Sequence, residues 1–207
     1  MNRCLILVDI QNDFLPGGAL AVPRGDEVVA VANRIMDRFE LVIATQDWHP
    51  ANHGSFAANH PGRCIGETVE LAGQPQILWP VHCVQHTPGA EFAPELNLSA
   101  VGSVFQKGLD PDIDSYSGFY DNGRRRSTGL GEFLREQGVD RVYIMGLATD
   151  YCVKFTALDA RSLGFETRLI LDGCRGVDLS PGDSEAAIQA LRSAGVGIDR
   201  SDDILAS

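Results

Sequence analysis

Lysine is nearly missing from this chain. Of 17 basic residues among 207, only Lys107 and Lys154 are lysines, and the net charge is −11. So little positive charge argues against nucleic acid or an anionic membrane surface as a partner. No apolar run approaches the roughly 18 residues that a membrane span needs. The start, Met1-Asn-Arg3, leads straight into an apolar run with no signal-peptide pattern, so a cytoplasmic protein is expected. Cys-x-x-Cys is absent, and the five cysteines (4, 64, 83, 152 and 174) are odd in number and widely spaced, as free thiols are. No Gly-x-Gly-x-x-Gly follows the first apolar run; Gly17-Gly18 comes too late and opens no helix, which disfavours a dinucleotide site. No repeat, linker or second domain is visible, and residues 1–207 read as one domain with room for a sizeable core. The single basic cluster, Arg124-Arg-Arg126, is flanked by Gly123 and Ser127 and reads as a solvated loop.

What is present alternates between two periods. Nearly continuous apolar runs predict strands at Arg3–Val8, Leu41–Thr45, Ser103–Gln106, Arg141–Met145, Glu166–Leu171 and Val196–Asp199. Helical spacing of Val28, Val29, Ala32, Ile35, Met36 and Phe39 predicts a helix that starts near Gly25-Asp26. Others follow the caps Ser127 and Thr128 and end before Gly138, follow Cys152 and stop at Gly164, and follow Asp183-Ser184 and stop at Gly195. The expected class is α/β: a doubly wound, mostly parallel six-stranded sheet with helices on both faces. Residues 46–102 break the rhythm. They are rich in Pro, Gly, His and Asn, and a crossover that long without regular structure is more often functional than idle.

Three polar residues close apolar runs. Asp9 ends the first, Lys107 follows Val104-Phe105, and Cys152 comes after Val142–Gly146 and just ahead of a helix. In an open parallel sheet the carboxyl ends of strands line one crevice, so the three can converge there. A thiol at a helix N-terminus is expected to favour the thiolate. Together they imply an acyl-transfer hydrolase working through a thioester. Taken singly, each has a bland reading: a capping carboxylate, a solvated charge and a buried small hydrophobe. The long crossover adds Asp47-Trp-His49 and, later, His82. Asp47 and His49 are two apart and share a side of extended backbone. With His82 they would leave open positions on a metal, as catalytic sites require. The same histidines also suit plain hydrogen bonds to backbone. His53, His60 and His86 complicate the count, and Pro80 and Pro88 argue against a helix joining His82 to His86.

Blocks spanning nearly the whole chain carry a resemblance. Leu7-Val-Asp-Ile-Gln-Asn-Asp-Phe14, Asp47-Trp-His-Pro50, Trp79-Pro-Val-His-Cys-Val84, Lys107-Gly-Leu-Asp-Pro-Asp112, Asp114-Ser-Tyr-Ser-Gly-Phe119 and Gly146-Leu-Ala-Thr-Asp-Tyr-Cys-Val153 occur in family order. The chain resembles the nicotinamidases of the isochorismatase-like cysteine hydrolase superfamily. That resemblance implies hydrolysis of nicotinamide to nicotinate and ammonia in pyridine-nucleotide salvage, with pyrazinamide as a further substrate. It implies a triad of Asp9, Lys107 and Cys152, and an oxyanion hole from the N–H groups of Ala148 and Cys152 beside a cis Leu147–Ala148 peptide. Metal ligands Asp47, His49 and His82 are implied for one divalent ion, zinc ahead of iron or manganese. Phe14, Leu20, Trp79 and Tyr116 are implied as walls of an aromatic pocket, and His53 as a residue behind the ligands. A homo-oligomer is left open. The alternatives are a metal-free sister such as an isochorismatase or carbamoyl amidohydrolase, a metallohydrolase with a structural Cys152, and a binding module without catalysis.

Overall fold

The computed structural model describes residues 2–206. Its main sheet has the order β5-β2-β1-β6-β7-β8, with every neighbouring pair parallel. These strands are β1 (Asn2–Val8), β2 (Leu41–Asp47), β5 (Ser103–Lys107), β6 (Val139–Leu147), β7 (Glu166–Arg175) and β8 (Gly197–Asp199). A separate antiparallel hairpin, β3 (Thr68–Leu71) and β4 (Gln74–Ile77), lies in the long crossover. The helices are α1 (Glu27–Ile35), α2 (Leu130–Glu136), α3 (Lys154–Ser162), α4 (Asp183–Ser193) and α5 (Ser201–Leu205).

Central strands need cover on both faces, and β1 shows why its sequence is apolar from Cys4 onward: Cys4 to Val8 are all buried. The crossover from β1 to β2 runs one way along the sheet, and that from β6 to β7 runs the other. Right-handed connections in opposite directions put α1 and α3 on opposite faces. α1 seals its face with Val28, Val29, Ala32 and Ile35. The strand order therefore reverses between β1 and β6, and the crevice above their carboxyl ends is the place such sheets hold ligands.

The predicted strands are all found, but β6 and β7 run longer than their apolar cores. A register shift between Ile144 and Gly146 lets the pair continue to Leu147 and Arg175. Gly146 permits it: it adopts φ 126°, and a Cβ there would meet Val8 O at 2.1 Å. The long crossover is less irregular than expected. Its hairpin turns at Ala72-Gly73, both with positive φ, as a tight two-residue turn requires. Pro75 masked β4, since proline within a strand is confined to edges. No helix among the described residues is long and apolar enough to cross a membrane.

Candidate active site

Strand ends deliver the charged residues. Asp9 follows β1, and the last residues of β2 and β5, Asp47 and Lys107, stand side by side in register. Cys152 lies in a π-helical turn, Thr149–Val153, which runs directly into α3. The thiol is thus inside a helical turn rather than ahead of a helix. All four residues are buried.

Lys107 Nζ is the hub. It lies 2.9 Å from Asp9 Oδ2 and 2.5 Å from Asp47 Oδ1, and donates to Ser115 O (2.9 Å) and Cys152 Sγ (3.4 Å). Thr45 Oγ1 donates to Asp9 Oδ1 at 2.6 Å. Asp9 Oδ2 touches Lys107 as an ion pair but receives no aligned hydrogen bond, so a lone pair stays free to take a proton. A carboxylate oxygen of Asp9, one of Asp47 and Cys152 Sγ all lie within 4.8 Å of one another.

Burial divides the protons among these groups. It pushes the Cys152 thiol well above the ordinary cysteine range, with Lys107 opposing and Asp9 adding to the rise. The helix-end expectation of a resting thiolate therefore gives way to a buried neutral thiol that needs a base. Burial also lifts Asp9, against Lys107, with Asp47 adding to the rise. Asp47 goes the other way: burial would raise it, but Lys107 and then His49 hold it well below the usual carboxylate range. Burial would lower Lys107, but Asp47 and Asp9 hold it well above the usual range, so it stays charged. Two neighbouring carboxyls are driven apart, one fixed as an anion and one free to exchange a proton. That separation marks Asp9 as the acid–base group.

The second half of the site comes from the crossover. His49 and His82 turn their Nε2 atoms toward Asp47 Oδ2, at 3.5 and 3.8 Å. Their Nδ1 atoms face carbonyl oxygens, Gly108 O at 3.0 Å and Pro80 O at 2.8 Å, so each Nδ1 carries the proton and each Nε2 keeps its lone pair. Two lone pairs and a carboxylate oxygen converge in a buried space, which is the donor set of a divalent metal ion. Gly108 is required there: it has φ 68°, and a Cβ would meet the His49 ring at 2.3 Å. His53 packs against the His49 ring, and with His49 and Asp114 it forms a second buried group whose donor atoms lie within 4.8 Å of one another. Its Nδ1 faces Ser55 Oγ (2.7 Å) and the Ser55 N–H (3.2 Å), and its buried Nε2 has no partner. Burial, with His49 beside it, pushes its pKa down to about 4, so it is neutral. His60 and His86 lie apart, His60 against Gly54 O and His86 edge-on to Trp48.

Phe14, Leu20, Trp79 and Tyr116 line one pocket with Asp47, His49, His82, Ala148 and Cys152. The Leu147–Ala148 peptide is cis. Sequence reasoning missed Asp114, Tyr151 and Val177 on the same lining. Tyr151 had a signal, its place beside Cys152. Val177 had none: Asp150 holds its loop by accepting the N–H groups of Val177 (3.0 Å) and Asp178 (2.8 Å). Two residues of the first block also act from behind. Gln11 clamps Asp47 through both its N–H and C=O (2.8 Å each), and Asp13 accepts the Cys83 N–H at 2.7 Å.

A family model described as the isochorismatase domain matches residues 3–202. The nicotinamidase of Escherichia coli K12 is 54% identical over 203 residues, covering 93% of this chain and 92% of that protein. A solved nicotinamidase and pyrazinamidase structure from Acinetobacter baumanii superposes with a TM-score of 0.95 at 48% identity, covering 98% of each chain. A pyrazinamidase of Pyrococcus horikoshii solved in complex with zinc matches with a TM-score of 0.78 at 42% identity, covering 97% of this chain and 99% of that one.

Proposed function

The chain belongs to the isochorismatase family, and from that premise we propose that it is a cysteine amidohydrolase converting nicotinamide to nicotinate and ammonia. Pyrazinamide is its further substrate, pyridine-nucleotide salvage its setting, and residues 1–207 act as one hydrolase unit. The observation that carries the reading is one pocket lined by Cys152, whose thiol Lys107 and Asp9 back, and by Asp47, His49 and His82. A metal-free sister enzyme would have no use for two imidazole lone pairs aimed at one carboxylate oxygen.

The proposed chemistry starts from a neutral thiol. As Sγ of Cys152 bonds to the carboxamide carbon, its proton passes to Asp9, and the carbonyl electrons move onto oxygen. The N–H groups of Ala148 and Cys152 receive that oxyanion, each donor worth about 3–4 kcal/mol of barrier. Lys107 remains charged throughout and offsets the negative charge on sulfur. Asp9 then returns the proton to the leaving nitrogen, the C–N bond breaks, and ammonia departs from a thioester. A water attacks the thioester as Asp9 takes one of its protons, collapse of the adduct frees nicotinic acid, which ionises to nicotinate in water, and Asp9 reprotonates the thiolate left behind.

Asp47, His49 and His82 would hold a divalent ion, zinc ahead of iron or manganese, supplying an electron-pair acceptor for the pyridine nitrogen. The side chains around it orient the ring and exclude water, with Phe14, Leu20, Trp79 and Tyr116 flanking the ring faces and edges. Ammonia release from nicotinamide and from benzamide, which lacks the ring nitrogen, tests the proposal. Fast turnover of nicotinamide and slow turnover of benzamide are expected. Equal rates, or none on nicotinamide, would overturn it.

A further inference from the structure

Asp13 ties together two walls of the pocket that come from distant parts of the chain. It lies in the short turn Asn12–Phe14 that follows β1. Its Oδ2 accepts the Cys83 N–H at 2.7 Å, and its Oδ1 accepts the Ala19 N–H at 3.2 Å. Its main-chain carbonyl accepts the Leu20 N–H at 2.9 Å. One residue therefore holds both the strap that carries Leu20 and the turn that follows His82.

Cys83 is where the two imidazoles are set relative to each other. It comes directly after His82, its N–H goes to Asp13, and its carbonyl oxygen accepts the His49 N–H at 3.0 Å. The Gln85 N–H continues that pairing by donating to His49 O at 2.9 Å. Cys83 adopts φ 44°, a left-handed conformation that a residue with a side chain keeps only when its surroundings hold it. Asp13 holds it from the N–H side. Phe14, next to Asp13, places its ring 5.6 Å from that of His82. Gly89 makes room for the carboxylate: a Cβ there would overlap Cγ, Oδ1 and Oδ2 of Asp13, its three nearest atoms.

We infer that Asp13 is a positioning residue: by holding the Cys83 N–H and the Ala19–Leu20 strap together, it fixes the spacing of the His49 and His82 imidazoles and sets the Leu20 wall against them. The inference rests on the reading of Asp47, His49 and His82 as metal ligands. Residues that orient ligands from behind are typically worth about 10–100-fold in metal affinity. Neither bond of the Asp13 carboxylate runs to Asp9, Lys107 or Cys152, so the thiol should not feel its loss.

The test compares wild type, Asp13→Ala, Gly89→Ala and the double variant. It reads the zinc Kd by competition with a chelator, kcat and KM for nicotinamide, and the Cys152 alkylation rate of metal-stripped samples. Asp13→Ala should weaken zinc binding about 10–100-fold and raise KM more than it lowers kcat, with alkylation close to the wild-type rate. Gly89→Ala keeps Asp13 but drives its carboxylate off the Cys83 N–H, so it should weaken zinc binding as well. Without the carboxylate the added methyl has nothing to displace, so the double variant should bind zinc as Asp13→Ala does. Equal zinc binding by wild type and Asp13→Ala, alkylation that falls in step with zinc affinity, or additive losses in the double would overturn the inference. Should Asp13→Ala fail to fold, an unchanged zinc Kd in Gly89→Ala overturns it. If wild type binds no zinc, the ligand reading falls and this inference with it. If wild type binds zinc but leaves nicotinamide intact, the nicotinamidase reading falls alone, and the zinc Kd values still decide the role of Asp13.

Discussion

The two ends of the pocket are built by different means. At the Cys152 end, Asp9 and Lys107 sit at the ends of parallel strands, and short bonds among charged groups fix them. At the ligand end, His49 and His82 come from a long crossover and are aimed by single backbone carbonyls, Gly108 O and Pro80 O. Asp47 is shared: Oδ1 faces Lys107 and Oδ2 faces both imidazoles. The two parts of the site divide the labour. The sheet holds the groups that must exchange protons at fixed distances, and the crossover holds the groups that choose and orient the ring. Damage at one end should therefore leave the other intact, except at Asp47.

The largest expected effect breaks the first end alone. Cys152→Ala should reduce ammonia release by at least about a thousandfold, while elemental analysis finds the metal content of wild type. Residual turnover above a tenth would mean that another group attacks the amide. Next come two changes with opposite signs, read on metal-stripped protein as the pH profile of Cys152 alkylation. Lys107 lowers the thiol pKa, so Lys107→Met should move the profile to higher pH; Asp47 raises it, so Asp47→Asn should move it to lower pH. Shifts of the same sign would contradict the charge assignment. Lys107→Met also strands two buried carboxyls and should cost up to about 3–5 kcal/mol in denaturant unfolding. The smallest effect belongs to the ligand end. Gly108→Ala, which forces a methyl into the His49 ring, should cost about 1–3 kcal/mol of backbone strain and raise KM for nicotinamide more than it lowers kcat.

Much of this was legible in the sequence, because the signals were local. Apolar runs marked the strands, and the polar residue closing each run marked the rim: Asp9, Asp47 and Lys107 stand where those runs stop. The state of Cys152 was not legible. A helix-end argument looks at one turn of chain, whereas burial beside Asp9 depends on the whole sheet. Val177 and Gln76 were invisible for a similar reason. They reach the pocket through hydrogen bonds to Asp150 and Tyr116, distant in sequence by 27 and 40 positions. The hairpin carrying Gln76 was hidden by Pro75, a residue that speaks against a strand unless the strand lies at an edge.

The division between the two ends is tested most directly by one measurement on His82→Ala: the rate of Cys152 alkylation by iodoacetamide at neutral pH, alongside bound metal on the same sample. The expected result is loss of stoichiometric metal with alkylation close to the wild-type rate, because Asp9, Lys107 and the helical turn act on the thiol without His82. Alkylation that falls together with the metal would show that the crossover activates the thiol, and would contradict the division.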